Sequence, residues 1–474
     1  MEFEIHESLD GIPTDAIVVP VSEGADRTDP RFAATANPLF ASGDLPLKPL
    51  ETLVIPGSPK IVFVGVTKTP DAEAWRRAAA TAVRRMKKSK RVAFAGGDLR
   101  AIVEGALVGN FSVEAYKTSN ANSSIAKVIF AGADRRGLDE GIIVGDSINW
   151  ARALINEPSN RKPPRVIAER AREMAANTGL DFDVLDEQKI RELKMGALLG
   201  VSQGSEEPPR VVVLKYSGKP GSSIEALPDR TRASPKVLAY VGKGITFDTG
   251  GISLKSADGM EKMKYDMAGG ATAMAAVRTL ALFHAPINCL AVVPLAENMP
   301  SGRAQRPGDV VESMSGKTIE IINTDAEGRL ILADALFYAR SLGATHLIDL
   351  ATLTGAARIA LGPFRVGVMG NDQPFMDSFL AAAKRAGEKM WQMPMDDEYR
   401  DLIKSTVADV ANSGGRFGGM ITAAKFLQEF VGNTPWLHLD IAGAAWNDEE
   451  KPYLPKGPSG VAMRSLVEFG LGFE

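Results

Sequence analysis

Short apolar runs alternate with stretches of helical spacing through the first 130 residues, at 16–20, 52–55, 60–66, 92–95 and 127–130. That rhythm predicts an α/β domain built on a mainly parallel sheet. Residues 138–156 then set Ile142, Ile143, Trp150, Ala153 and Leu154 at helical intervals, and the pattern stops at Glu157-Pro158-Ser159-Asn160 and Pro163-Pro164. A helix halted by prolines predicts a connector between domains. Beyond it the rhythm resumes, with strands expected at 210–216, 236–241, 288–294, 318–322, 345–349 and 436–441. Long helices are expected at 267–284, 329–342 and 421–431, and 217–235 reads as a surface loop. The expected division is an N-terminal α/β domain over 1–135, a connecting helix over 136–160 and a larger domain over 161–474.

Composition changes this picture mainly by exclusion. The 474 residues are 45% hydrophobic and 24% charged, the proportions of an ordinary globular protein rather than a disordered or fibrous one. Lysine and arginine number 55 against 58 acids, a balance that speaks against nucleic acid as the main partner. The single cysteine, Cys289, excludes an internal disulfide framework and a cysteine-based zinc knuckle. His6, His284, His346 and His438 form no cluster, so a catalytic metal would be held mainly by carboxylates. No apolar run approaches the ~20 residues that span a bilayer, so no membrane partner is expected. The acidic start, Met1-Glu2-Phe3-Glu4-Ile5-His6-Glu7, is unlike a secretory leader, and the expected place of action is the cytoplasm.

Three local patterns invite other readings. Arg76, Arg77, Arg84, Arg85, Lys87, Lys88, Lys90 and Arg91 lie on or just after a helix and could form a phosphate-binding stripe for DNA. A solvated helix face with cations at its C-terminal end is the favoured reading, because the rest of the chain is not basic. Gly200-Val201-Ser202-Gln203-Gly204 fits a nucleophile elbow, which keeps a serine hydrolase as an alternative of another class. Its context fits poorly, since 191–199 reads as helix and Pro208-Pro209 follows too soon. Ser315-Gly316-Lys317-Thr318 resembles the end of a P-loop, but Val311 stands where the leading glycine belongs.

Two further stretches carry the candidate chemistry. The first runs from Val241 through Lys243, Asp248, Gly250, Gly251 and Lys255 to Asp266, between an apolar strand and the helix expected at 267–284. Ligands of open α/β sheets bind beyond the carboxyl ends of strands, and glycines let backbone approach them. The second, Asn323-Thr324-Asp325-Ala326-Glu327-Gly328-Arg329-Leu330, lies between an expected strand and helix. If extended, it turns Asp325, Glu327 and Arg329 to one side. With Asp248 and Asp266, four carboxylates then converge on one sheet edge, a cost that divalent ions would offset. Manganese, magnesium or zinc accept such oxygen ligands. A lysine amine joins them only where a neighbouring cation and burial lower its pKa. Plainer readings exist: Thr324 and Glu327 match a capping box, Asp325 and Asp266 suit helix starts, and Lys243 and Lys255 suit an exposed loop. The two stretches together favour the metal reading.

Residues 241–270 and 323–330 resemble the two signatures of the leucyl aminopeptidase family, cytosolic dinuclear-metal exopeptidases. Agreement extends through Asn156-Glu157-Pro158, the segment from Asp349 to Gly355, that from Gly418 to Ala424, and that from His438 to Gly443, covering most of 145–474. The first 130 residues match weakly. The resemblance implies an α/β fold of two α/β/α domains, a smaller variable N-terminal one and a larger C-terminal catalytic one with a central mixed sheet. It implies a metal-dependent enzyme, a leucyl aminopeptidase, that releases N-terminal amino acids, leucine and other apolar residues favoured, through a dinuclear metal-activated hydroxide. Lys243, Asp248, Asp266 and Glu327 would hold one ion, and Asp248, Asp325 and Glu327 the other. Manganese or zinc would fill the sites, with magnesium a further candidate. Lys255 would stabilise the oxyanion, and Arg329 would bind a bicarbonate acting as general base. Met263, Asn323, Thr352, Gly355 and Ala442 would contact substrate. Ala445 departs from relatives that carry a larger residue there. The implied partners are peptides with a free N-terminus and further copies in a homohexamer; DNA is a less favoured one.

Overall fold

The computed structural model describes residues 1–118, 125–218 and 236–473, so the loop expected at 217–235 lies, from 219 on, outside the described residues. The chain divides into two compact units, Met1–Asn149 with Asn447–Gly457, and Trp150–Trp446 with Pro458–Glu474. In the first, strands β1 (Glu2–His6), β2 (Ala16–Ser22), β3 (Thr52–Ile55), β4 (Lys60–Val66), β5 (Arg91–Phe94) and β6 (Lys127–Ala131) form one sheet. Its order is β1-β6-β5-β2-β4-β3, parallel except for the β3–β4 pair. The expected strands are there. The additional β1 is a half-exposed edge whose polar alternation hides it from an apolar-run search.

Helices α1 (Ala33–Ser42), α2 (Ala72–Arg85) and α3 (Leu99–Asn110) belong to this unit, and α4 (Arg135–Asn156) runs from it into the next. Asp71 and Asp98 start α2 and α3 by accepting the N–H groups of Ala74 and Ala101. Three arginines of the basic stretch are engaged within their own unit. Arg76 pairs with buried Glu104 at 2.5 Å, Arg77 with Glu73 at 2.7 Å, and Arg84 with Glu450. Arg77 also lies over the Tyr453 ring at 4.8 Å.

The second unit holds a nine-stranded mixed sheet. Its strands are β7 (Asp181–Leu185), β8 (Arg210–Ser217), β9 (Val237–Gly242), β10 (Gly244–Asp248) and β11 (Asn288–Asn298), followed by β14 (His346–Ala351), β15 (Val366–Gly370), β16 (Met390–Gln392) and β18 (Trp436–Asp440). The order is β16-β15-β18-β14-β9-β11-β8-β7, and β10 pairs with the far end of β11. A separate sheet joins β12 (Val310–Glu312), β13 (Thr318–Glu320) and β17 (Val410–Ala411). Strand β11 continues four residues past Pro294, the end expected from the sequence pattern. The proline is tolerated because its partner on that side changes there: β9 pairing ends at Val292 and β10 pairing begins at Leu295.

Helices α5 (Pro164–Thr178), α6 (Glu187–Glu192), α7 (Gly196–Ser202), α8 (Ala268–Leu282), α9 (Glu327–Ser341), α10 (Gly355–Leu361), α11 (Gln373–Ala386), α12 (Glu398–Asp401), α13 (Gly419–Gln428) and α14 (Met463–Leu471) complete the unit. Helices α7, α9 and α13 share one apolar core with the sheet, built on Leu198, Leu330, Leu336, Phe426 and Trp436. Helix α8, with α5 and α14 beside it, packs on β9, β11 and β14. The expected helix at 191–199 is instead two, α6 and α7, broken at Lys194 with a φ of +57°. Ser202 therefore ends a helix and donates to the Leu199 carbonyl, so it is not the exposed nucleophile of an elbow. Neither downstream histidine serves it: His438 is buried against Asp349, and His346 pairs with Thr345. Among the described residues no helix is long and apolar enough to cross a membrane.

One buried acid fixes α9. Asp334 accepts the N–H of Leu198 at the start of α7, at 2.9 Å, and that of Met314 at 2.7 Å. Burial nevertheless pushes its carboxyl up to about 7 against these donors. The folded chain thus keeps a proton that the unfolded chain releases near 3.8, so stability from this group falls as pH rises from there to about 7 and is flat above. Asp334→Asn should flatten that slope in urea unfolding at roughly pH 5 and 7.5; an unchanged slope would contradict the assignment. Asp334→Ala should cost about 2–4 kcal/mol, because two buried N–H groups lose their acceptor.

Candidate metal centre

Strands β9 and β10 end where the chain turns away from the sheet. Asp248, last in β10, is level with Asn298, last in β11. Its carboxylate accepts Asn298 Nδ2 and the Gly250 N–H, each at 2.8 Å. Gly250 and Gly251 follow with φ of +86° and +66°, a pair that other residues adopt only with strain. They return the chain so that Lys255 Nζ comes to 2.7 Å from Asp248 Oδ2.

The second stretch differs from the extended segment expected of it. Residues 323–326 form a turn, and Glu327 opens α9. Asp325 and Glu327 still face the same place because a turn followed by the first turn of a helix bends the chain around it. Thr324 is not a cap either. Its hydroxyl donates to the Gly250 carbonyl at 2.6 Å and accepts the Ser253 N–H, lacing the two stretches together. The N-cap is Ala326, with no side-chain bond. Asn323 caps the turn instead, accepting the Asp325 N–H at 2.8 Å.

Asp248, Asp325 and Glu327 each offer an oxygen, all within 4.8 Å of one another. Lys243 Nζ lies 2.7 Å from Asp266 Oδ2 and 2.8 Å from Glu327 Oε1, and Lys255 also pairs with Asp325. Gly328 makes this possible, since a Cβ there would sit 2.7 Å from the Lys243 stem. Neither lysine is an exposed loop charge: Lys243 keeps 3% of its side chain exposed and Lys255 23%. Burial, then repulsion by Asp248, raises the carboxyls of Asp325 and Glu327, and burial raises Asp266. Burial alone would lower both amines, but the surrounding acids outweigh it and hold each above its ordinary value. Asp266 Oδ2 and Glu327 Oε1 meet Lys243 as ion pairs without aligned hydrogen bonds. Buried carboxylate oxygens with free lone pairs, beside the trio of converging acids, fit two divalent ions.

The cluster opens into a cavity of about 570 Å³, and every expected site residue except Glu327 lines it, including Met263, Thr352, Gly355 and Ala442. Thr352 donates to Asp266 at 2.7 Å. Arg329 gives one guanidinium N–H to the Asn412 carbonyl at 2.8 Å, its Nε has no partner among the described residues, and burial brings the guanidinium down to about 10. Asp440 holds the wall by accepting Thr354 Oγ1 at 2.6 Å and the Ala442 N–H. Tyr265 is a further lining residue, its phenol pushed up to about 12 by burial and by Asp266, with Lys243, Arg358 and Asp440 also acting on it.

Asn298 and Asn412 escape a motif search because each is a lone amide whose role comes from distant chain. Asn298 Nδ2 also reaches the Thr324 carbonyl at 3.0 Å, and Asn412 Oδ1 accepts the Ile322 N–H at 2.8 Å. The signal available for Asn298 is its place as the polar last residue of a long buried strand. Lys162 escapes similarly. Fully buried, it donates to the carbonyls of Leu154 and Ile155 at the end of α4 and to that of Lys264 at 2.6 Å, while Lys264 Nζ returns to the Asn156 carbonyl at 2.7 Å. The Lys162 amine meets three carbonyls, burial holding its pKa well below the ordinary lysine value, and it ties that end of the helix to the 260–266 turn carrying Met263 and Asp266. Lys162→Met should cost roughly 2–3 kcal/mol in chemical unfolding. A neutral or stabilising result would mean that desolvating the charge costs as much as its three carbonyls return.

Residues 149–467 match the cytosol aminopeptidase family, catalytic domain, and residues 19–120 match that family's N-terminal domain. The probable cytosol aminopeptidase of Solibacter usitatus is 49% identical over 485 aligned residues, with 98% of each chain covered. That of Koribacter versatilis is 47% identical, again with 98% of each covered. The solved structure of the bottromycin maturation enzyme BotP in complex with Mn superposes with a TM-score of 0.86 at 34% identity, covering 97% of this chain and 99% of that one. Two domains matched in order, on relatives aligned nearly end to end, make this chain a member of the cytosol aminopeptidase family.

Proposed function

We propose that the protein is a metal-dependent aminopeptidase that removes the first residue of peptides, leucine and other apolar residues among them. The observation that carries this is the meeting of Asp248, Asp325 and Glu327 beside the Lys243–Asp266 pair at the mouth of one cavity. Lys243, Asp248, Asp266 and Glu327 would hold one ion; Asp248, Asp325 and Glu327 would hold the other. The solved relative in complex with Mn supports manganese. Ions bound there would supply Lewis acidity, lowering the pKa of a water and anchoring a free α-amine.

The chain's own groups do the rest. Lys255, reachable from the cavity, would put its ammonium where the scissile carbonyl oxygen gains charge. Arg329, which lines the cavity, would hold bicarbonate there as a fixed anion site. The Met263, Thr352, Gly355 and Ala442 wall takes the first side chain, and Asn323 keeps Asp325 turned inward. The relatives' name supports the cytoplasm as the place of action. Ile359 and Phe417, 89% and 80% exposed, support burial against further copies in a hexamer.

Turnover of a leucyl chromogenic amide should stop with chelator and return with manganese. Asp248→Ala and Glu327→Ala should abolish both turnover and manganese binding while the melting transition stays cooperative; normal turnover in either refutes the site. Lys255→Ala should lower kcat by roughly 10²–10³-fold, and an unchanged kcat removes the oxyanion role. Light scattering should give six chains per particle, and a monomer would contradict the hexamer.

A further inference from the structure

Several side-chain donors around the cavity are engaged with the protein itself. Thr352 Oγ1 bonds Asp266, and Thr354 Oγ1 bonds Asp440. Lys243 and Lys255 serve the acids of the metal cluster. Tyr265 differs. Its side chain lines the cavity, yet its hydroxyl has no hydrogen-bond partner among the described residues and is not among the polar atoms sealed from solvent.

The ring is held in place. It packs at a tilt against Trp446, with centroids 5.8 Å apart, and Lys264 Nζ lies 5.8 Å from the Trp446 ring centre. The Lys264 carbonyl is in turn fixed by Lys162 at 2.6 Å, so the turn that ends in Tyr265 is braced from behind. A fixed phenol with an unpaired hydroxyl is a directional donor that a ligand in the cavity can engage. Met263, Ala442 and Gly355, beside it, offer no side-chain hydrogen bond of ordinary strength.

We infer that Tyr265 reads the first side chain of the substrate, its hydroxyl donating to an acceptor oxygen near that chain's end, so that N-terminal glutamine or glutamate gains an advantage leucine cannot use. The inference rests on the aminopeptidase reading and adds the residue that sets its selectivity. Arg358, which lines the same cavity, extends the effect to the charged member of the pair. A pocket that supplies a donor discriminates against a side chain that leaves it unpaired more strongly than an apolar wall discriminates by size.

The test compares kcat/KM for glutaminyl and leucyl p-nitroanilides on the manganese-loaded protein and on Tyr265→Phe. Because both substrates are read on one preparation, partial loss of folded protein cancels in the ratio. The glutamine-to-leucine ratio should fall about five- to tenfold in Tyr265→Phe, the worth of one neutral hydrogen bond. The fall should come mainly through KM, and inhibition by free L-glutamine relative to L-leucine should weaken in parallel. Arg358→Gln should lower the glutamate-to-glutamine ratio. A Tyr265→Phe ratio within twofold of the parent overturns the role while leaving aminopeptidase activity intact. Absence of turnover with either substrate in the parent protein overturns the underlying reading as well.

Discussion

Four carboxylates, two of them on a glycine-bearing strand-end segment and two on a turn that opens a helix, are brought into one largely buried place. Like charges so close cannot all stay ionised in a poorly solvated setting without cations among them. Two lysines supply part of that charge, while burial, and repulsion by Asp248, raise the carboxyls of Asp266, Asp325 and Glu327. Four acids against two lysines leave a surplus of negative charge, which divalent ions would relieve. Around it the cavity, its wall and the lysine that faces into it acquire their chemical meaning.

The fold meets this constraint with stiff parts. Asp248 sits at the end of a strand paired to a neighbour buried along most of its length, and Glu327 begins a helix anchored at its middle by Asp334. Thr324 joins the two stretches by hydroxyl and backbone bonds, while Asn298 touches both through one amide. Removing any one of these ties leaves the acids present but free to move apart, which is why a mixed sheet with covered faces suits such a site better than a surface loop would.

Much of this is legible in the chain before any coordinates. Lys243, Asp248, Lys255 and Asp266 stand out because glycines and acids at a strand end are costly unless they serve a ligand, and 323–330 because its acids are so densely spaced. The alternating core strands read directly from their apolar runs. What does not read is whatever depends on long-range contact. The extended form expected of 323–330 gives way to a turn and a helix, because Thr324 bonds across to Gly250 rather than along its own helix. Asn298, Asn412 and Lys162 are single polar residues whose worth lies in backbone groups between 7 and 102 residues distant, and Tyr265 looks like an ordinary aromatic until it is found lining the cavity with its hydroxyl unpaired among the described residues.

The central claim is that acids from two distant stretches jointly hold a pair of ions. Titration of metal-free protein with manganese, followed by electron paramagnetic resonance, tests it without reference to turnover. The account predicts two ions per chain with an exchange-broadened signal, as expected of ions ~4 Å apart. A single isolated six-line spectrum at saturation, or no binding at all, would contradict it.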